Sequence, residues 1–236
     1  PLFGALRHRP RAAGDLRALS VRPRDAHLCG CGARVPLTRR LCPSCRSPLV
    51  RDARGALSLW TLGALRPGIT RSMETALSRA LSLPVVVQPA GVDERPSARP
   101  ARDGWRGRSA NVFLSQIDRR ARRGAVASLG LTEFNLTPRR DWNFVFGLAY
   151  LSRPACVVSL HALDADRPTR RRLVSRAVKI ALHELGHTFG LDHHGYDDGV
   201  DCLMIGDAAV DSVETVDARG RSFCDDCATV VARRAR

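Results

Sequence analysis

Residues 183–194 read HELGHTFGLDHH, and this run constrains the chain more than any other. His183 and His187 stand four apart, so on a helix their imidazoles leave one face a single turn apart. That spacing lets two ring nitrogens reach one tetrahedral Zn²⁺ at about 2.0–2.1 Å. Glu184, beside the first of them, can reach a water on such a metal without being a ligand. Gly190 allows the chain to leave the helix through a left-handed conformation. A third ligand can then return to the metal, and His193 completes the pattern H-E-x-x-H-x-x-G-x-x-H. His194 is an alternative third ligand, but the spacing from Gly190 favours His193. Three protein nitrogens leave a fourth position for water, which is how an open catalytic zinc site is built.

The chemistry follows from these parts. Zinc lowers the pKa of its water from about 15.7 toward 7, and Glu184 accepts the proton. The hydroxide attacks a peptide carbonyl polarised by the same metal, and Glu184 passes the proton to the departing amine. A purely structural zinc has no need of a base at position 184. Downstream, Met204 is one of only two methionines. It reads as an apolar floor in a tight turn beneath the three histidines, against the plainer role of gap-filling core residue.

The eight cysteines cluster: Cys29, Cys31, Cys42 and Cys45 early, Cys202, Cys224 and Cys227 late, and Cys156 alone between. Paired short spacings separated by a loop offer thiolates to a metal. The opening stretch is broken by arginines, has no apolar core and does not read as a secretion signal; the first residue is not Met, so trimming upstream stays open. Two Cys-rich zinc sites in a reducing, cytoplasmic compartment are therefore expected rather than disulfides. The early group, C-x-C at 29–31 and C-x-x-C at 42–45, predicts a zinc-ribbon-like module over residues 28–50, with His27 as a replacement ligand. A unit so small needs a metal to fold. Cys156, on an apolar strand, reads as a buried core thiol, and His8 and His161 read as structural.

Composition is ordinary for a globular chain: 236 residues, 44% hydrophobic. That excludes a wholly disordered chain, and no apolar run reaches the roughly 18 residues needed to cross a bilayer. The formal net charge of +15 suggests nucleic acid, but all 38 basic residues except Lys179 are Arg, as codon bias in a GC-rich genome would write. Aromatic residues are only 5%, leaving little to stack on bases. The arginines are scattered and read mainly as a solvated face, with weak polyanion binding left open.

Along the chain, residues 1–27 read as a flexible Arg-rich tail. From about 55 the pattern becomes that of a mixed domain. Strands are expected at 56–62, 84–90, 125–134, 142–151 and 155–163, and helices at 70–81 and 110–123. A loop is expected over 91–108. The longest helical pattern runs 171–191 and stops at Gly190. Residues 192–236 show little long periodicity, as in a segment held by metal ligands.

The long His motif followed by Met204 resembles the metzincin metallopeptidases. The continuation Cys202-Leu203-Met204 and then Cys224-Asp225-Asp226-Cys227 is similar in particular to the archaemetzincins. NFVFGLAYLSRPACVVSLHAL (143–163) resembles the two strands before that family's active-site helix. The resemblance covers roughly residues 56–231. It implies an α/β (α+β) fold: a compact metzincin-type domain over 55–232 with a mixed twisted sheet, an active-site helix and a Cys-rich C-terminal subdomain, here preceded by a small zinc ribbon. It implies a catalytic zinc on His183, His187 and His193, Glu184 as base, and a second, structural zinc. In the family pattern a Cys directly follows the third His, and here that position is His194. A neutral imidazole can replace a thiolate, giving a site of His194, Cys202, Cys224 and Cys227. The spacings from 194 to Cys202 and from Met204 to Cys224 are longer than the family's. The resulting expectation is a zinc-dependent peptide hydrolase acting on peptides or small proteins. The alternatives are a catalytically drifted zinc-binding scaffold and a nucleic-acid- or protein-binding module using the ribbon.

Overall fold

The computed structural model describes residues 26–28, 34–36, 55–88, 99–100, 106–120, 124–138, 143–151, 153–195, 198–206 and 212–234. Two short strands, β1 (Ala26–Leu28) and β2 (Arg34–Pro36), pair antiparallel. The four ribbon cysteines, Cys29, Cys31, Cys42 and Cys45, and the tail before residue 26 lie outside the described residues.

The body of the domain is a five-stranded sheet. Its strands are β3 (Leu57–Leu62), β4 (Val85–Gln88), β7 (Ala127–Thr132), β9 (Gly147–Ala149) and β10 (Ala155–Ser159), in the order β4-β3-β7-β10-β9. The first four run parallel, and β9 pairs antiparallel to β10 at the edge. A small second sheet holds β5 (Arg99–Pro100), β6 (Arg106–Ser109) and β8 (Leu136–Thr137). Residues 99–100 and 106–108 therefore replace part of the loop expected over 91–108. The strand expected at 142–151 is shortened to β9, and that expected at 155–163 ends at Ser159 as β10, with a 3₁₀ turn following at Ala162–Asp164.

Side chains alternate across the parallel strands because the strand period is two. Leu57, Leu59, Leu129, Cys156 and Val158 face one core, while Trp60, Leu62, Ala155 and Val157 face the other. The second face packs on α2 (Ala110–Arg120) through Phe113, Leu114 and Ile117. Gly130 on β7 makes that approach possible, since any side chain there would collide with Ile117 and Leu62. The first face packs on α1 (Ile69–Leu81), which buries Ile69, Met73 and Leu77 at helical spacing. It also packs on α3 (Arg170–Thr188), which buries Leu173, Ala177, Ile180, Ala181 and Leu185.

Helix α3 begins at Thr169, whose hydroxyl accepts the Arg172 N–H at 3.3 Å. Two short helices follow it, α4 (Val213–Ala218) and α5 (Asp225–Arg234). Neither was expected from the sequence, where residues 192–236 show little long periodicity. Each carries local signals that propensity runs miss: Ser212 caps α4 by accepting from Thr215 N, and α5 has Asp225 and Asp226 in its first turn and Arg233 and Arg234 in its last. Lys179, the one lysine of the chain, ties α3 to α4. Its Nζ donates to the carbonyl oxygens of Val216, Asp217 and Arg219 at 3.0, 2.8 and 2.7 Å. Among the described residues no helix is long and apolar enough to cross a membrane.

Candidate active site

The end of α3 sets the geometry. Gly190 takes φ 92°, its N–H donates to His187 O at 2.9 Å, and Leu191 N–H donates to Gly186 O at 3.0 Å. This paired arrangement around a left-handed glycine reverses the chain and carries His193 back toward the helix. The Nε2 atoms of His183, His187 and His193 then lie 3.1–3.2 Å from one another.

Two of these rings have fixed tautomers. His183 Nδ1–H donates to Leu203 O at 2.8 Å and His187 Nδ1–H donates to Leu191 O at 2.8 Å. Each neutral ring therefore presents a bare lone pair at Nε2, and the two lone pairs face each other at 3.2 Å. That is repulsive unless a cation lies between them. Ligand nitrogens around a tetrahedral Zn²⁺ at about 2.0–2.1 Å would stand about 3.3 Å apart, so the trio fits zinc. Burial pulls the His183 imidazole down to about 3, against its Nδ1 hydrogen bond, which keeps it neutral and ligand-competent.

Glu184 is buried, at 7% exposure, yet its carboxyl makes no hydrogen bond to any described residue. Burial pushes it up to about 8, with Arg219 pulling the other way. Gly147 on β9 makes its room: a Cβ there would stand 2.6 Å from Glu184 Cγ and 2.6 Å from its Oε1. Gly186 plays the same part for Met204, whose Sδ and Cε lie where a side chain at 186 would go. Neither glycine was singled out from sequence. A lone Gly inside an apolar strand or helix pattern is the signal that marks such close approaches.

A second cluster lies beside the first. His194 Nε2 is 3.2 Å from Cys227 Sγ and 3.5 Å from Cys224 Sγ, and Cys202 Sγ completes the group. All four residues lie within metal-sharing distance, with the cysteines free of disulfides. The N–H groups of Met204 and Cys224 donate to Cys202 Sγ at 3.4 and 3.3 Å, the kind of outer contact that stabilises a ligating thiolate. The Cys227 N–H, ahead of its neighbours, holds the Cys224 thiol below its ordinary value. Burial pushes the Cys227 thiol up. The donor set of one imidazole and three thiols suits a closed zinc site. Cys156 is buried on β10, away from both clusters' ligands, and burial raises its thiol well above the ordinary value.

The two clusters share a backbone. His194 N–H donates to Met204 O at 2.9 Å and Gly206 N–H to His194 O at 3.2 Å. His193 and His194 therefore serve different groups from adjacent positions, and the Met204 turn is pinned between them. A helix of this kind, backed by a mixed sheet and followed by a Met-bearing turn, defines the metzincin class of fold.

Within that class the chain belongs to peptidase family M54, whose family model matches residues 113–233. It is 39% identical over 118 residues to an archaemetzincin of Thermococcus kodakarensis, covering 48% of this chain and 59% of that relative. A Pyrococcus furiosus archaemetzincin is 35% identical over 107 residues, 44% of this chain and 52% of the relative. The matches thus span between half and three-fifths of these relatives' length. In structure the chain is similar to the archaemetzincin of Methanopyrus kandleri, with TM-score 0.61 and 28% identity over 78% of this chain and 97% of that one. The Archaeoglobus fulgidus archaemetzincin, solved with malonate, gives TM-score 0.58 at 26% identity over 74% and 99% of the two chains.

Proposed function

We propose that the chain is a zinc-dependent metallopeptidase that hydrolyses peptide bonds at the His183–His187–His193 cluster, with Glu184 as general base. The observation that carries this reading is the convergence of three imidazole Nε2 atoms within 3.1–3.2 Å of one another, with Glu184 following the first of them on the same helix. A carboxyl group whose proton affinity is shifted by its surroundings is expected where a catalyst must take up a proton. Membership of peptidase family M54 supports the same reading.

His183, His187 and His193 would hold a zinc ion, which would supply Lewis acidity toward a water and the scissile carbonyl. Glu184 would be the group that holds the proton in transit between the attacking water and the leaving amine. Its raised affinity for a proton, due first to burial, suits it to hold the proton and return it to the leaving amine. Gly147 keeps the carboxylate in place without a side chain of its own. Strand β9, at the sheet edge beside Glu184, offers backbone groups on which an extended peptide can add as a further strand. Leu203 and Leu191 hold the two helix-borne imidazoles in the ligating tautomer.

His194, Cys202, Cys224 and Cys227 hold a second, structural zinc that fixes the Met204 turn. Cys29, Cys31, Cys42 and Cys45 hold a third in the amino-terminal ribbon. The free thiols among the described cysteines accord with a reducing compartment, which we take to be the cytoplasm. Zinc per chain by elemental analysis, with cleavage of a mixed peptide library, tests the whole reading. Three zinc ions falling to two in His183→Ala/His187→Ala, with cleavage lost, is the expected result. Unchanged zinc in that variant, or no cleavage by the zinc-replete wild type, would overturn the enzyme reading.

A further inference from the structure

Arg219, which directly follows α4, lies against His183. Its Nη1 is 3.4 Å from His183 Nδ1, but that nitrogen already gives its hydrogen to Leu203 O. Two donors face each other there, so the contact satisfies neither. Nη2 lies over Gly206, 2.8 Å from where a Cβ would stand, and His183 Cε1 is 3.8 Å from the same point. The guanidinium Nε is buried with no partner. None of the ion pairs among the described residues includes Arg219. Arg176 makes the contrast: it is buried too, but Asp166 and Asp217 grip it from two sides.

The backbone of Arg219 is fixed. Its N–H donates to Thr215 O at 3.1 Å, and its carbonyl accepts from Lys179 Nζ at 2.7 Å. The side chain is thus a positive fork held beside a metal-ligating ring, with donors to spare. A buried donor without a partner, such as Arg219 Nε, is rare in native proteins. The planar fork of a guanidinium matches a carboxylate better than it matches any neutral group. One imidazole ring separates Nη1 from the metal-facing nitrogen of His183, and successive residues of an extended peptide advance by about 3.3–3.6 Å. A carboxylate paired with Arg219 would therefore lie within about one extended residue of a bond held at the metal.

We propose that Arg219 is a specificity residue that recognises a substrate carboxylate, carried by a side chain or by the chain terminus, within one residue of the scissile bond. This rests on the peptidase reading of the site, and Gly206 contributes by leaving space for the fork.

The test is calorimetric binding to the full-length, zinc-loaded chain, which needs no turnover. Short peptide hydroxamates are compared in pairs, Glu against Gln in the residue next to the hydroxamate, and free acid against amide at the adjacent terminus. The wild type is expected to bind the acidic member of one pair about 10- to 100-fold tighter. The pair that discriminates tells a side-chain carboxylate from a terminal one. Arg219→Gln, with zinc content unchanged, is expected to bind both members alike, and Arg219→Glu to favour a Lys-bearing hydroxamate. Equal binding of both pairs by the wild type, or an equal loss for acidic and neutral members in Arg219→Gln, would overturn the proposal. The wild-type comparison stands even where the variants do not fold. Failure of every hydroxamate to bind the wild type would instead overturn the peptidase reading, and this proposal with it.

Discussion

A Cβ on Gly147 would stand 2.6 Å from both Cγ and Oε1 of Glu184, so the edge strand and the carboxylate share one space that only glycine leaves free. Gly147→Val should push Glu184 off its position while leaving the three imidazoles alone. General-base contributions run at about 10²–10⁴-fold, and kcat is expected to fall into that range with zinc content unchanged. A Gly147→Val enzyme with wild-type kcat would remove the positional role of this residue.

The same relation holds between Gly186 and Met204, with the opposite sign from ordinary helix propensity. Replacing a mid-helix Gly by Ala usually adds about 0.5–1 kcal/mol. At position 186 the new methyl meets Met204 Sδ and Cε and lies 3.4 Å from Leu191 Cδ1, so overpacking of about 1–3 kcal/mol should win. Gly186→Ala is expected to unfold at lower urea than the wild type, and Gly186→Ala/Met204→Ala to show positive coupling between the two sites. Additive losses in that cycle would mean that the two residues do not contact.

These two contacts mark where the sequence stops being legible. Helix α3, its glycine exit and the convergence of His183, His187 and His193 could be read directly because each depends on spacing within one turn or one cap. The parallel strands could be read for the same local reason, as β-branched or leucine-rich runs. Glu184's pocket could not, because Gly147 comes to it from a strand 37 residues away in the chain, and no periodicity encodes that approach. Helices α4 and α5 were missed for another reason. At six and ten residues they are too short to show an apolar period and announce themselves only through caps and terminal charges. Arg219 was lost among many arginines: nothing local separates a solvated one from one lodged against His183.

The second cluster should be inseparable from the first in its effects. His194 exchanges backbone hydrogen bonds with Met204 and Gly206, and Cys202 stands two residues before Met204, so a metal held by this cluster would anchor the Met204 turn. Cys227→Ser is expected to lose one zinc per chain and to lower the melting temperature by about 10 °C or more, given the free energy that structural zinc brings to folding. Cleavage should fall with it. His194→Cys should keep its zinc, since four thiolates serve a structural site equally well. Elemental analysis and thermal unfolding check both, and a Cys227→Ser protein with full zinc would dismiss the second site.

Acid stability should trace to a different pair. Arg176 is buried at 1% side-chain exposure, and Asp217 accepts from its Nε and Nη2 at 2.9 and 2.7 Å while also pairing with Arg172. Arg176 first, then Arg172, holds the Asp217 carboxyl well below its ordinary value. A carboxyl depressed by folding adds stability that is fully present above the unfolded value near 3.9 and is lost as pH falls toward the folded one. Asp217→Asn should therefore cost about 1.5–3 kcal/mol at pH 7, with Asp166 keeping one side of Arg176 paired. Below about pH 4 the gap between variant and wild type should close, because the wild type gives up the same interaction by protonation. Urea unfolding at pH 7, pH 3 and pH 2 follows the narrowing, and a gap that stays constant across all three would show that the Asp217 charge does not set the acid limb.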